Sequence, residues 1–299
     1  MKVLLTGGTG FVGTALVEAL REHGHTPTLL TRPRSKPPTN AASIPWDTEV
    51  GPPPAAAWEE TDAVINLAGE PLQGRWTAAK KDRIKQSRVG TTSHLVAGMA
   101  ALERKPSQLI SVSAIGYYGD RGDETLTEDA TAGHDFLAAV CREWEAAAMS
   151  AEPLGVTVAR TRFGIVLGKD GGALGPLNRL GKLGLLGPIG GGKQWWSWIH
   201  IADLVGFMIH ALENRLSGPF NLVAPDGRRQ RDWAATAARV LHRPGFLPAP
   251  AFAVRAAVGG FAAELLSSRH VIPAATQASG FEFAFPDLEP ALKNAFADD

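Results

Sequence analysis

The chain has 299 residues, with thirty lysines and arginines against thirty aspartates and glutamates, so it has no basic surplus for a phosphodiester backbone and no acidic tail. Its 44% apolar content supports a real interior, and its glycines and prolines follow no repeat, which excludes collagen and disorder. The length suits a nucleotide-sized α/β unit with a smaller appended region, and the single cysteine, Cys141, forbids an intrachain disulfide.

In chain order, short apolar runs at Val3–Thr6, Thr28–Thr31, Ala63–Leu67, Leu109–Ser113 and Val156–Arg160 read as strands separated by helical or loop segments. This βαβ rhythm implies parallel strands with right-handed crossovers. Between the second and third strands Pro33, Pro37, Pro38, Pro45, Pro52, Pro53 and Pro54 remove backbone donors, and a loop is expected there. Trp76 to Leu102 has helical apolar spacing through Ile84, Leu95, Val96 and Met99, and Asp135 is placed to cap a second helix running through Trp144 to about Ala148. After Gly168 the pattern loosens into glycines from Gly171 and Gly172 through Gly175, Gly181, Gly184 and Gly187 to Gly192. Helices return near Ala202–Leu212 and Arg231–Leu241. The expected architecture is an α/β, doubly wound parallel (Rossmann) sheet over residues 1–167, joined by about 198–224. A smaller substrate-covering region is made from 168–197 and 225–299.

The apolar start Val3-Leu4-Leu5 is too short for a signal-peptide core, and the stretch from Phe252 to Leu266 is broken by Arg255, Gly259, Gly260 and Glu264. A cytoplasmic monomer or homodimer acting on a small molecule is expected, without nucleic acid or membrane.

Thr6-Gly7-Gly8-Thr9-Gly10-Phe11-Val12-Gly13 follows the first strand and opens a helix. It satisfies G-x-G-x-x-G from Gly8. A Cβ there would block the approach of backbone N–H groups to a pyrophosphate, whose charge the helix dipole also meets, and Gly13 lets helix and strand close up. An ordinary glycine-rich βα turn is the bland alternative. An NAD site needs a carboxylate near the end of the second strand for the ribose 2′-hydroxyl, yet no acidic residue occurs between Glu22 and Asp47. Arg32, directly after the strand, instead suits a 2′-phosphate, so NADP(H) is the expected cofactor; Arg34 and Lys36 read as a solvated loop.

Asn66-Leu67-Ala68-Gly69, Ser111-Val112-Ser113 and Trp198-Ile199-His200-Ile201-Ala202-Asp203 resemble the extended short-chain dehydrogenase/reductases. Together with Arg75-Trp76, Ser87-Arg88, Gly116-Tyr117-Tyr118-Gly119, Arg162–Gly168, Gly187–Asp203 and Val271–Phe283, the chain is similar to the atypical "epimerase family" branch, whose members end in a small domain of unknown function. The resemblance implies NADPH held by the glycine turn (Gly7, Gly10, Phe11, Val12, Gly13), by Thr31 and Arg32, and by the Leu67-Ala68-Gly69 strand end. It also implies Arg88 as a further phosphate contact, with Arg162 and the Phe163–Ile165 segment near the nicotinamide. On spacing alone, Ala68 and Gly69 read equally as close helix–strand packing.

Ordinary members carry Tyr-x-x-x-Lys on the helix after the serine strand, the tyrosine transferring a proton and the lysine lowering its pKa. Here the matching stretch is Phe136-Leu137-Ala138-Ala139-Val140-Cys141, and neither tyrosine of the chain has a lysine four residues later. Ser113 is the candidate to hold the reacting oxygen, and Tyr117 or Tyr118, or water, to manage the proton; inward packing is the alternative for either phenol. Cys141 reads as a buried apolar helix residue, Asp203 as a cap or support, and His200 as lying behind the site. Trp195, Trp196 and Trp198 read equally as a substrate wall or as packing, and no histidine has metal-ligand spacing. The expected function is an atypical NADP(H)-dependent oxidoreductase or epimerase-like protein of unknown substrate. The rival is a non-catalytic NADPH-binding redox sensor that acts through a protein partner.

Overall fold

The computed structural model describes residues 1–33, 41–169, 171, 186–245 and 247–297. Seven strands make the central sheet: β1 (Lys2–Thr6), β2 (Thr26–Thr31), β3 (Ala42–Pro45), β4 (Ala63–Asn66), β5 (Gln108–Ala114), β7 (Thr157–Phe163) and β11 (Gly218–Leu222). The spatial order is β11-β7-β5-β4-β1-β2-β3, with every pair parallel. Strand order reverses between β1 and β4, so a crevice opens at the carboxyl ends of these two strands.

Helices cover both faces, which is why the strands read as apolar runs rather than as alternating ones. On one face α1 (Phe11–Glu22) brings Leu16, Val17 and Leu20 against Leu5 and Ile65, beside Leu204, Phe207 and Met208 from the helix at Ile201–Glu213. On the other, α3 (Thr91–Ala100) and α4 (Phe136–Met149) bury Leu95, Met99 and Ala148 against Leu4, Val64, Leu109 and Val158. Asp135 caps α4 as expected, its Oδ1 accepting from the Ala138 N–H at 2.8 Å.

The expected loop between β2 and β4 holds the edge strand β3 and a short 3-10 turn at Ala55–Trp58. Prolines stop a helix there, but an edge strand pairs on one side only and tolerates Pro45 at its end. The single helix expected over Trp76–Leu102 runs unbroken from Ala78 to Ala100, as α2 (Ala78–Lys85), a π-type turn at Gln86–Gly90, and α3. The outer strand β11, unforeseen because Gly218 and Pro219 interrupt its apolar run, closes the far edge of the sheet.

The smaller region is built from two-residue and three-residue strands. β8 (Ile165–Leu167) pairs with β10 (Trp198–His200), β9 (Trp195–Trp196) pairs with β12 (Arg228–Arg229), and β13 (His270–Val271) pairs with β6 (Thr125–Leu126). Trp196, Trp198 and Trp233 form its core with Leu288 and Leu292.

Candidate functional site

The turn after β1 is shaped by close approach. Gly7 takes a left-handed backbone (φ +68°), and a Cβ on it would lie 2.8 Å from the Leu67 carbonyl carbon and oxygen. A Cβ on Gly13 would lie 2.2 Å from the Gly7 oxygen. Both positions exclude any side chain. Gly10 caps α1 with no side-chain hydrogen bond, and the first turn holds no acidic residue, so the amino end of the helix is left to an outside anion. Phe11 lies under Gly168 and Gly171: Cβ atoms built there would meet its ring at 2.8 and 2.0 Å. Thr31 is buried at the end of β2, and Arg32 beyond it is exposed and makes no hydrogen bond or ion pair among the described residues. Arg34 and Lys36 lie outside the described residues, as do Gly172, Gly175, Gly181 and Gly184.

Beneath the crevice a buried polar chain fixes the two strand ends. Thr6 Oγ1 donates to Asn66 Oδ1 (2.6 Å) and Asn66 Nδ2 to Thr92 Oγ1 (2.8 Å), which also accepts from Trp144 Nε1 (2.9 Å). The N–H groups of Leu67 and Ala68 donate to Thr6 Oγ1, both at 3.2 Å, which aims the Leu67-Ala68-Gly69 backbone over the crevice. Arg88 rises from the π-type turn directly below Gly69, where a Cβ would lie 3.2 Å from its guanidinium. Its Nη1 donates to the carbonyls of Glu70 (3.1 Å) and Ile84 (3.2 Å), and no carboxylate among the described residues pairs with it. Burial pushes this guanidinium below the usual arginine range. Its other contacts are the Ser87 hydroxyl and the face of Trp144, and a half-buried cation with no carboxylate among the described residues can receive an anion.

The other half of the edge is occupied by its own side chains. Ser113, Arg162 and Asn221 lie in one cross-strand row on β5, β7 and β11. Glu145 of α4, unforeseen from sequence, organises them. It accepts from Ser113 Oγ (2.8 Å) and from Arg162 through Nε (2.8 Å) and Nη2 (2.9 Å), a bidentate clamp between groups no more than 5% exposed. Burial opposes the Arg162 charge, but the Glu145 carboxylate more than offsets this and holds the guanidinium above its usual range. Arg162 Nη1 donates to Tyr118 Oη (2.8 Å), and Tyr118 donates to Asn221 Oδ1 (2.7 Å). Tyr118 is 0% exposed, and burial pushes its phenol up to about 12 against the pull of Arg162.

Tyr117 differs. It is half-buried, its ring 3.7 Å from the Arg162 guanidinium carbon, and its hydroxyl makes no hydrogen bond among the described residues. Ile165, at the start of β8, is half-buried beside Trp198. One signal could have revealed Glu145: it sits one turn beyond Cys141 and two beyond Leu137, a lone charge on the apolar face of α4.

Residues 3–224 match the NAD dependent epimerase/dehydratase family, and residues 249–295 match a domain of unknown function, DUF1731. The chain belongs to the NAD dependent epimerase/dehydratase family. It is 38% identical to the epimerase family protein SDR39U1 homolog, chloroplastic, of Arabidopsis thaliana, over 98% of this chain and 86% of the relative. Identity to the epimerase family protein YfhF of Bacillus subtilis is 37%, over 100% of this chain and 99% of that one. The crystal structure of human epimerase family protein SDR39U1 (isoform2) with NADPH is similar at a TM-score of 0.89 and 37% identity, covering 99% of each chain.

α4 turns Leu137 and Cys141 toward Gly116; a Cβ on that glycine would touch Leu137 Cβ at 3.7 Å and Cys141 Sγ at 3.9 Å. Cys141 is 4% exposed, and burial pushes its thiol up to about 12. Asp203 is a support: it accepts from the backbone N–H groups of Ala284 (2.6 Å) and Phe285 (3.1 Å), while burial raises its carboxyl above the usual range. His200 caps the Ile201–Glu213 helix, Nδ1 accepting from the Ala202 N–H at 3.2 Å, and burial lowers its pKa. Trp196 and Trp198 are core, whereas Trp195 is half-buried and stacks on His270 at 4.0 Å. Among the described residues no helix is long and apolar enough to cross a membrane, and no group of three or more His, Cys, Asp or Glu could hold a metal ion.

Proposed function

We propose that this family member binds NADPH in the β1/β4 crevice and exchanges a hydride with a small molecule, as an atypical oxidoreductase or epimerase-like enzyme. Its identity to the human protein solved with NADPH supports the cofactor. The residues present fit it: Gly7, Gly10, Phe11, Val12 and Gly13 would hold the pyrophosphate, Thr31 and Arg32 the 2′-phosphorylated ribose, and Leu67-Ala68-Gly69 the adenosine side. Arg88 would face phosphate, and Arg162 and Ile165 would border the nicotinamide. When bound, the nicotinamide supplies or accepts the hydride at C4. The protein would act in the cytoplasm, as a monomer or homodimer, without nucleic acid or membrane.

Proton handling falls to Tyr117, because its hydroxyl is uncommitted whereas that of Tyr118 is bonded on both sides. Ser113 gives its proton to Glu145, so toward a reactant it can only accept a hydrogen bond.

The observation that carries this reading is Arg32: an exposed guanidinium beyond β2 with no partner among the described residues, in a stretch with no carboxylate between Glu22 and Asp47. Calorimetric titration tests it. Arg32→Ser weakens NADPH binding about tenfold or more and leaves NADH binding unchanged; equal affinities of the unaltered protein for the two coenzymes would overturn the assignment.

The sensor reading is favoured by one observation, the apolar stretch Phe136–Cys141 where the resemblance leads one to expect Tyr-x-x-x-Lys. A panel of carbonyls and quinones, followed by NADPH absorbance, separates the two: turnover selects the enzyme, and tight binding of both redox forms without turnover selects the sensor.

A further inference from the structure

A cleft of about 540 Å³ lies in the smaller region, with Asp123, Lys193, Gln194, Arg229, Arg231 and Ser268 in its lining. Three cations there face one carboxylate. The carboxylate is already spent: Arg229 Nη1 donates to Asp123 Oδ1 at 2.6 Å and holds that carboxyl below the usual range, so Asp123 stays ionised and paired at neutral pH. Arg229 is spent with it. The Lys193 carbonyl accepts from Arg229 Nη1 (2.5 Å), but its exposed ammonium makes no hydrogen bond or ion pair among the described residues. Arg231 has only an offset contact, Nε to Asp232 Oδ1 at 3.5 Å, with both side chains more than half exposed.

One exposed ammonium without a side-chain partner among the described residues and one exposed guanidinium with a single surface ion pair therefore share the cleft, and the backbone holds them there. Arg231 N–H donates to the Gly192 carbonyl at 3.0 Å, and Gly192 (φ +66°) lies so close that a Cβ would meet Arg231 Cβ at 2.7 Å. Lys193 follows Gly192 directly.

The lining also says what the ligand lacks. Among the described residues no aromatic side chain lines the cleft; the nearby Trp195 is turned to His270 and Arg229, and Trp196 and Trp198 are buried. A planar base would find no ring there to stack on, whereas an oxyanion would find the Lys193 ammonium and the Arg231 guanidinium; the Gln194 amide already donates to the carbonyls of Ile189 and Leu265, and the Ser268 hydroxyl to that of Gly122.

The cleft is tied to the redox site by a few bonds. Ser268 Oγ donates to the Gly122 carbonyl (2.6 Å), and its neighbour Arg269 donates from Nε to the carbonyl of Gly119 (2.9 Å), in the turn that carries Tyr117.

We propose that this cleft binds a compact oxyanion, the phosphate-ester or carboxylate end of the small molecule that reacts at the nicotinamide, through Lys193 and Arg231. The anion site stands on the cleft alone; its link to a reacting substrate rests on the NADPH-dependent reading above.

The test is calorimetry on the full chain saturated with NADPH, with glycerol phosphate and succinate as probes. At least one probe binds below about 10 mM, and a Lys193→Gln/Arg231→Gln variant, altered only at exposed positions, weakens it about tenfold while NADPH affinity is unchanged. Which probe binds tighter identifies the source of the oxyanion. The proposal is overturned if neither probe binds, if the double variant binds as the parent does, or if uridine diphosphate binds more than about tenfold tighter than glycerol phosphate, since a base would then be recognised. Should NADPH itself give no heat, the cofactor reading fails, and the same anion titrations without NADPH still decide this one.

Discussion

The carboxyl edge of the sheet has two halves that were solved differently. Around β1, β2 and β4 the chain removes side chains and leaves charge unanswered: Gly7 and Gly13 admit no Cβ, α1 begins without a side-chain cap, and among the described residues Arg32 has no partner and Arg88 no carboxylate. Around β5, β7 and β11 the polar groups answer one another, with Ser113, Glu145, Arg162, Tyr118 and Asn221 joined in one buried chain. The first half is a receptor and the second a brace. Residue type does not separate them, since both contain arginine, threonine or serine, and asparagine; what separates them is whether each donor already has its acceptor.

This contrast can be broken most sharply at Glu145. Glu145→Ala strands Arg162 as a buried charge, and urea unfolding should show a loss of about 3–5 kcal/mol. A loss below about 1 kcal/mol would mean that the brace is not one. Next comes Tyr118→Phe, with an expected cost of about 1–3 kcal/mol from the orphaned Arg162 and Asn221 groups. This phenol is held protonated by the fold, so its contribution is complete below its ordinary pKa of 10.0 and is lost as pH rises toward about 12. The alkaline fall in stability should therefore shrink in the variant; an unchanged fall would place the titration elsewhere. Tyr117→Phe should change stability by no more than about 0.5 kcal/mol yet cut turnover about a hundredfold with any carbonyl that responds; unchanged turnover removes the phenol from the chemistry. Smallest in stability is Arg32→Ser, within about 0.5 kcal/mol, since that side chain is exposed and makes no hydrogen bond or ion pair among the described residues.

Much of the fold was legible in the sequence because it is local. Five of the seven sheet strands, the βα turn and the Asp135 cap follow from apolar runs, glycine spacing and one capping residue within a few positions of each other. β3 and β11 were not, because an edge strand is defined by its one neighbour, and Pro45, Gly218 and Pro219 break the pattern that would announce it. The helix over Trp76–Leu102 was legible, but the π-type turn inside it was hidden for a related reason: the apolar spacing of Ile84, Leu95 and Met99 continues through it.

For the candidate site the dividing line is sharper. The sequence by itself determined that a backbone could approach a phosphate after Thr6, that no carboxylate stands near Arg32, and that no tyrosine–lysine pair exists, because each is a statement about which atoms the chain carries at neighbouring positions. Only the tertiary structure decided that Ser113 spends its proton on Glu145, that Tyr118 is enclosed while Tyr117 is not, and that Lys193 and Arg231 share one cleft. Those outcomes depend on which donor meets which acceptor across 32 to 103 residues of chain for the first two, and hydrogen bonding is settled by distance in space, to which spacing along the chain is blind.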